Sequence, residues 1–269
     1  MNKLQEIVLE KRKQVEIDKY QVPLVTLEHS VYFNRKCASL KEYIGRDDKS
    51  GIIAEIKKKS PALGAINPEI NVEILASGYT IAGASALSVL TDTKFFGGSN
   101  LDLIAARENT PNPILRKDFV IDEYQIMEAK SIGADAILLI AAILAKDDIE
   151  VFTDLAHALG MEVLLELHAE TELEKVYEKV DVIGVNNRNL KTMTIDIATS
   201  RSMVKLLPGG ITKISESGIE DPQTLVGLKK LGYDGFLIGS YFMKHNEPSK
   251  ACAEFISQVN KLKSGTDAA

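Results

Sequence analysis

Residues 51–61 read Gly51-Ile52-Ile53-Ala54-Glu55-Ile56-Lys57-Lys58-Lys59-Ser60-Pro61, an apolar run opened by glycine, broken by one acid and closed by three lysines and a proline. A short apolar run bounded by turn residues and followed by a longer segment of helical period reads as a strand entering a βα unit. Seven further runs repeat the pattern: Ala84 to Leu90, Pro113 to Leu115, Asp135 to Ile140, Glu162 to Leu167, Val182 to Val185, Thr212 to Ser215 and Gly235 to Ile238. Their starts lie 20 to 33 residues apart, the length of a strand, a helix and two short loops. Helices are expected over Pro68 to Ala82, Asp122 to Ile132, Asp147 to Leu159 and Asp221 to Leu231, several opening on Asp or Pro and closing near Gly. Eight parallel strands alternating with helices predict an α/β protein in which the sheet closes into a (β/α)8 barrel; an open doubly wound sheet is the competing arrangement.

A single domain of 269 residues accommodates such a barrel. With 45% hydrophobic and 26% charged residues the chain can bury a full core. A net charge of -6 argues against a broad nucleic-acid surface, so any anion site must be local. Two cysteines, Cys37 and Cys252, are too few for a disulfide framework, and no His/Cys cluster has zinc spacing. Residues 1–50 fall outside the repeat. Leu4, Ile7 and Val8 mark one amphipathic helix, and Val31 to Tyr43 suggests another beyond Pro23, together an N-terminal helical extension acting as a plug under the barrel or a lid beside its mouth. The first 19 residues are charged throughout, with no apolar core of a leader and no membrane-length run, so cytoplasm is the expected location. Lys263 to Ala269 reads as a frayed polar tail.

In a barrel the carboxyl ends of the strands carry the chemistry. Alternation puts Glu55 and Lys57 on one face of the first strand. Interior ion pairs are weak aids to stability, which favours a functional role over a structural bridge. Lys117 ends the third strand, where an enclosed lysine is either a general acid or, if neutral, a Schiff-base nucleophile. Glu166, flanked by apolar residues on the fifth strand, is expected to have its pKa raised by desolvation. Asn186, Asn187 and Arg188 leave the sixth strand with groups suited to hydroxyls, a carboxylate or a phosphate. Ser217-Gly218 and Gly239-Ser240 follow the last two strands, where backbone N–H groups grip an anion; with Lys57 across the mouth they predict a small phosphate ester as ligand. His168 reads as a hydrogen-bonded structural residue. Phe95 and Phe96, before Gly97-Gly98-Ser99, either stack on an aromatic ligand or cover the mouth.

Ile53 to Pro61 resembles the signature of the indole-3-glycerol phosphate synthase family, a resemblance that extends through Leu90-Thr91-Asp92 with Phe96, Arg116-Lys117-Asp118-Phe119, Glu166, Asn186-Asn187-Arg188, Glu216-Ser217-Gly218 and Gly239-Ser240. Gly97 and Asn187 depart from the family's usual Asn or Gln and Ser or Thr. The resemblance implies a TIM barrel that closes the ring of 1-(2-carboxyphenylamino)-1-deoxyribulose 5-phosphate, decarboxylates it and dehydrates it in tryptophan biosynthesis, with neither metal nor cofactor. It implies Lys117 as the acid that protonates the substrate carbonyl, held charged by Glu55, and Glu166 and Lys57 as the pair for dehydration. Ser217, Gly218, Gly239, Ser240 and Lys57 would bind phosphate; Asn186 and Arg188 the hydroxyls and carboxylate; Phe96 and Phe119 the aromatic ring; Ser60 and Glu216 further substrate atoms. Phosphorylated small molecules are the only expected partners, with no nucleic acid and no membrane, and the chain is expected to be a monomer. The alternatives are a Schiff-base phosphosugar aldolase using Lys117 or Lys57, and a barrel that binds phosphosugars without catalysis.

Overall fold

A computed structural model describes residues 3–190 and 192–266. Ten strands follow in chain order: β1 (Ile52–Ile56), β2 (Lys59–Ser60), β3 (Gly64–Ala65), β4 (Ala86–Leu90), β5 (Ile114–Lys117), β6 (Ala136–Ile140), β7 (Glu162–Leu167), β8 (Val182–Asn186), β9 (Thr212–Glu216) and β10 (Gly235–Ile238). Every run predicted as a strand is one. All but β2 and β3 pair in parallel with sequence neighbours, and β1 pairs with both β4 and β10, so the sheet closes as a (β/α)8 barrel. The sequence pattern did not reveal the small antiparallel hairpin of β2 and β3, which stands over the mouth just after β1.

Alternation along the strands divides the core in two. Outward residues such as Ile52, Ala54, Leu87, Val89 and Val163 meet the surrounding helices. Inward residues Ile53, Ala86, Leu115, Leu138, Leu164, Ile214 and Leu237 fill the lower barrel. One step further along the same inward faces stand Glu55, Lys117, Glu166 and Glu216, so the apolar layers end and a charged layer begins at one level.

The expected helices form, three with trimmed ends and the fourth, Lys146–Ala158, shifted by one residue. Val72–Ile81 begins four residues after Pro68 because the Asn71 side chain accepts the Ile74 N–H and caps the helix there. Asp122 and Asp221 cap Glu123–Ser131 and Pro222–Lys230 in the same way, with Pro222 in the first turn. Between β7 and β8 the connection is a 3-10 helix, Glu170–Lys175. The final helix runs Pro248–Thr266, so the predicted frayed tail is helical as far as residue 266; residues 267–269 of it lie outside the described residues.

The N-terminal extension serves both ends of the barrel. Helix α1 (Lys3–Gln21) lies at the mouth, where Lys11 is buried between Asp92 at 3.0 Å and Asp118 at 2.7 Å. Helix α2 (Leu24–Glu28) packs Leu27 with Val15 and Tyr124. The helix expected over Val31 to Tyr43 is confined to α3 (Leu40–Gly45). Before it, residues 31–35 form hydrogen-bonded turns and residues 36–39 run without helix, where Arg35 and the Ala38 N–H both donate to Asp135. Leu40 and Ile44 of α3 join the inner core from below, and Ser39 with the Lys41 N–H holds Glu162 at the foot of β7. The plug and the lid are thus different segments of one extension. Leu40→Ala should therefore lower stability by roughly 2–5 kcal/mol, read as a shift of the urea midpoint, with the substrate KM unchanged because the cavity opens at the far end.

Candidate active site

A cavity of about 390 Å³ occupies the mouth of the barrel. Around it stand most of the residues singled out in the sequence: Glu55, Lys57, Ser60, Phe96, Lys117, Phe119, Glu166, Asn186, Arg188, Glu216, Ser217, Gly218, Gly239 and Ser240. Phe95 does not join them; it is buried beneath Lys3, whose ammonium sits 4.8 Å from its ring centre. Phe96 and Phe119 face each other across 6.0 Å between ring centres, tilted by 40°, and form an apolar wall.

Two ion clusters make up the floor. Lys57 donates to Glu55 at 2.5 Å, the pair that strand alternation predicts. Lys117 donates to Glu166 at 2.7 Å and to Glu216 at 2.5 Å. The expectation that Glu55 holds Lys117 is therefore corrected: Glu55 is engaged by Lys57, and the two direct partners of Lys117 come from β7 and β9, whose inward positions stand at the same level. Glycines make this crowding possible. A Cβ on Gly184 of β8 would collide with the Glu216 carboxylate, and one on Gly239 with the Glu55 carboxylate.

The charge states follow from what each group faces. Burial works against the Lys117 ammonium, but Glu166, Glu216 and Glu55 outweigh it and hold Lys117 charged, above the ordinary lysine range. Burial also favours the neutral form of Glu166, yet Lys117 and His168 hold its carboxyl well below the usual range. The expected upward shift of Glu166 is thus reversed by its neighbours. It is Glu216 that burial, reinforced by the negative charge of Glu166, pushes up to about 8, against the pull of Lys117. One lysine satisfies one carboxylate, and the second takes up a proton.

Glycine turns form the other side. Ser217 and Gly218 both have positive φ, +67° and +77°, which turns the chain sharply as it leaves β9. Gly239 precedes a single helical turn, Ser240–Met243, whose first N–H groups have no partner within that turn. Arg188 is half-buried and donates to the Met193 carbonyl, and its own N–H donates to Asn186 Oδ1. Asn187 points away from the cavity; its amide donates to Ser215 Oγ and to the Glu216 and Ser217 carbonyls, pinning the end of β9. Gly97 is left-handed at φ +69° and closes a short helix against Lys59.

Sequence reasoning missed the apolar rim: Leu4 and Ile7 from α1, Leu63 from the β2–β3 hairpin, and Leu190, Met193 and Ile195 after β8. Such residues carry no chemical signature, and only the folded chain brings them to the mouth.

A parallel barrel whose open end holds a buried ammonium between carboxylates, an aromatic wall and two glycine turns defines an enzyme of the (β/α)8 class that moves protons on a small bound molecule. The family model described as indole-3-glycerol phosphate synthase matches residues 4–255, and the chain belongs to that family. It is 44% identical over 256 residues to an indole-3-glycerol phosphate synthase of Bacteroides thetaiotaomicron, covering 95% of this chain and 98% of that protein. A Campylobacter fetus protein of the same name is 40% identical over 242 residues, covering 90% and 94%. Among solved structures, a chain from a study of the tryptophan synthase a2b2 complex of Pyrococcus furiosus aligns with a TM-score of 0.58 at 14% identity. That alignment covers 80% of this chain and 99% of the other, a likeness of fold alone.

The opposed carboxyls make stability depend on pH with a defined sign. Between the ordinary glutamate value near 4.5 and about 8, folded Glu216 keeps a proton that the unfolded chain has released. Its contribution is thus complete below 4.5 and lost as the pH rises through 8, while that of Glu166, whose pKa is depressed, is lost on acidification. Thermal midpoints measured from pH 5 to 8.5 should decline less steeply in Glu216→Gln than in the unaltered chain.

Proposed function

We propose that this cavity converts 1-(2-carboxyphenylamino)-1-deoxyribulose 5-phosphate into indole-3-glycerol phosphate, carbon dioxide and water, the activity for which the family is named. The observation that carries the reading is Lys117, an ammonium buried between Glu166 and Glu216 on the floor below the Phe96–Phe119 wall. The substrate phosphate would sit against Ser217-Gly218 and Gly239-Ser240 with Lys57 nearby, and the benzoate ring against the two phenylalanines. Asn186, Arg188 and Ser60 would orient the hydroxyls and the carboxylate. This folds the substrate so that its aromatic carbon faces its own carbonyl, and an intramolecular reaction held in that shape needs little further ordering.

As the ring carbon attacks, the carbonyl oxygen gains negative charge and basicity, and Lys117 delivers a proton to it. A strongly paired ammonium is a reluctant acid toward a ketone and a competent one toward an alkoxide, so the proton moves when the new bond forms. Loss of carbon dioxide restores the aromatic ring. Glu166, held ionised, then removes the proton next to nitrogen while Lys57, positioned by Glu55, protonates the departing hydroxyl. Glu216 keeps Lys117 in place. The aldolase reading is disfavoured by the same contacts: a Schiff base starts from a neutral amine, and both mouth lysines are paired with carboxylates.

Among the described residues no helix is long and apolar enough to cross a membrane. The proposed setting is a cytoplasmic, monomeric enzyme whose whole chain forms one domain, using neither metal nor cofactor and binding no nucleic acid. Formation of the fluorescent indole product measures the activity directly, since the chain contains no Trp. Lys117→Ala should lower kcat by about 10²–10⁴ with a small change in KM, and Glu166→Gln should act in the same direction. A well-folded unaltered chain that forms no indole would overturn the reading.

A further inference from the structure

The wall behind Glu166 separates two cavities. On the near side Glu166 lines the mouth. On the far side a groove of about 1090 Å³ runs between α1 and the loop after β7, and the residue between is His168. Its side chain is 6% exposed. Nε2 lies 3.1 Å from Glu166 Oε1, and Nδ1 lies 3.9 Å from Oε2 of Glu172. Neither ring nitrogen makes an aligned hydrogen bond among the described residues. Glu172 is fixed by the His168 backbone N–H at 2.7 Å and, like Arg12 and Glu174, lines the groove. An imidazole between two carboxylates, each facing a different cavity and neither locked to the ring, has the arrangement of a relay more than that of a structural pin.

The reaction needs one. If the carboxylate leaves as carbon dioxide, each turnover gives two protons to the carbonyl oxygen that departs as water and recovers only one from carbon, so one proton enters from solution. With substrate filling the mouth, the groups that Lys117 touches from behind are Glu166 and Glu216. Of these, Glu166 continues through His168 toward water in the groove.

We propose that His168 is the positioning and relay residue through which this proton enters, passing from Glu172 and groove water to Glu166 and on to Lys117. In the step, the imidazolium Nε2–H bond breaks and an O–H bond forms on Glu166 Oε1. Glu166 then gives the proton to the neutral Lys117 amine, restoring ammonium and carboxylate; the proton that Glu166 later takes from carbon leaves through His168 to groove water, and Lys57 recovers its own from solvent as product departs, so that one proton is consumed in all. A turn of the ring presents the bare nitrogen to Glu172, which recharges it from water. Burial pulls the His168 pKa down, and Glu166, Glu172 and Glu216 more than reverse this, which favours the charged ring.

The inference rests on the proposed reaction, and the test separates the two. The full chain, His168→Ala and Glu172→Gln are assayed for indole formation in dilute buffer, with and without added imidazole, and in H2O and D2O. His168→Ala should lose kcat by about tenfold or more at unchanged KM, regain much of it as imidazole fills the vacated space, and show an enlarged solvent isotope effect. Glu172→Gln should lose less, and imidazole should leave the unaltered chain unaffected. A His168→Ala protein that keeps the original kcat, or that loses it with an unchanged thermal midpoint and no response to imidazole, overturns the relay. If His168→Ala fails to fold, Glu172→Gln decides: a kcat and isotope effect equal to those of the unaltered chain overturn it. Absence of product from the unaltered chain would instead overturn the reaction itself.

Discussion

Removing one ammonium and two carboxylates from water at the centre of a barrel is costly, because each ion forfeits several kcal/mol of hydration that pairing only partly returns. The Lys117–Glu166–Glu216 cluster meets that cost by arithmetic and by shape. Two negative charges against one positive would leave an excess buried charge, and the rise of the Glu216 pKa to about 8 removes it near neutrality. Glu166 stays ionised because it has Lys117 on one side and His168 on the other. The same three groups are then ready to give, hold and accept protons.

The rest of the architecture serves that cluster. The lower barrel is packed with aliphatic side chains, so the charged layer rests on a rigid, low-dielectric base. Gly184 and Gly239 leave the volume that Glu216 and Glu55 occupy. Asn187 fixes the end of β9, and with it the level at which Glu216 projects. Lys11, paired with Asp92 and Asp118, brings α1 over the mouth beside the residue that follows Lys117.

Much of this was legible in the sequence for a physical reason. A residue whose charge contradicts its apolar strand, as Glu55, Lys117 and Glu166 do, announces both its position and its exception, and strand alternation alone pairs Glu55 with Lys57. The partners across the barrel were not legible. Whether Lys117 meets Glu55 or Glu216 depends on the stagger of strands far apart in sequence, and the protonation states follow from those contacts; this is why the expected rise of Glu166 belongs instead to Glu216. The turn over residues 31–39 was hidden for a similar reason. Its local pattern permits a helix, and Asp135, nearly a hundred residues away, takes the Ala38 N–H that such a helix would have used, together with the Arg35 side chain.

That last contact bears on how the chain is assembled. Residues 35–41 leave the ribosome early, but the acids that fix them, Asp135, Glu162 and Asp181, are made more than ninety residues later. Residues 35–41 therefore have no docking place until β6 and β7 exist, and α3 cannot seal the lower barrel before the inner strands have gathered around it. A segment made before the barrel thus folds into place late, and during that interval the apolar foot of the half-built barrel is open to water and to other chains.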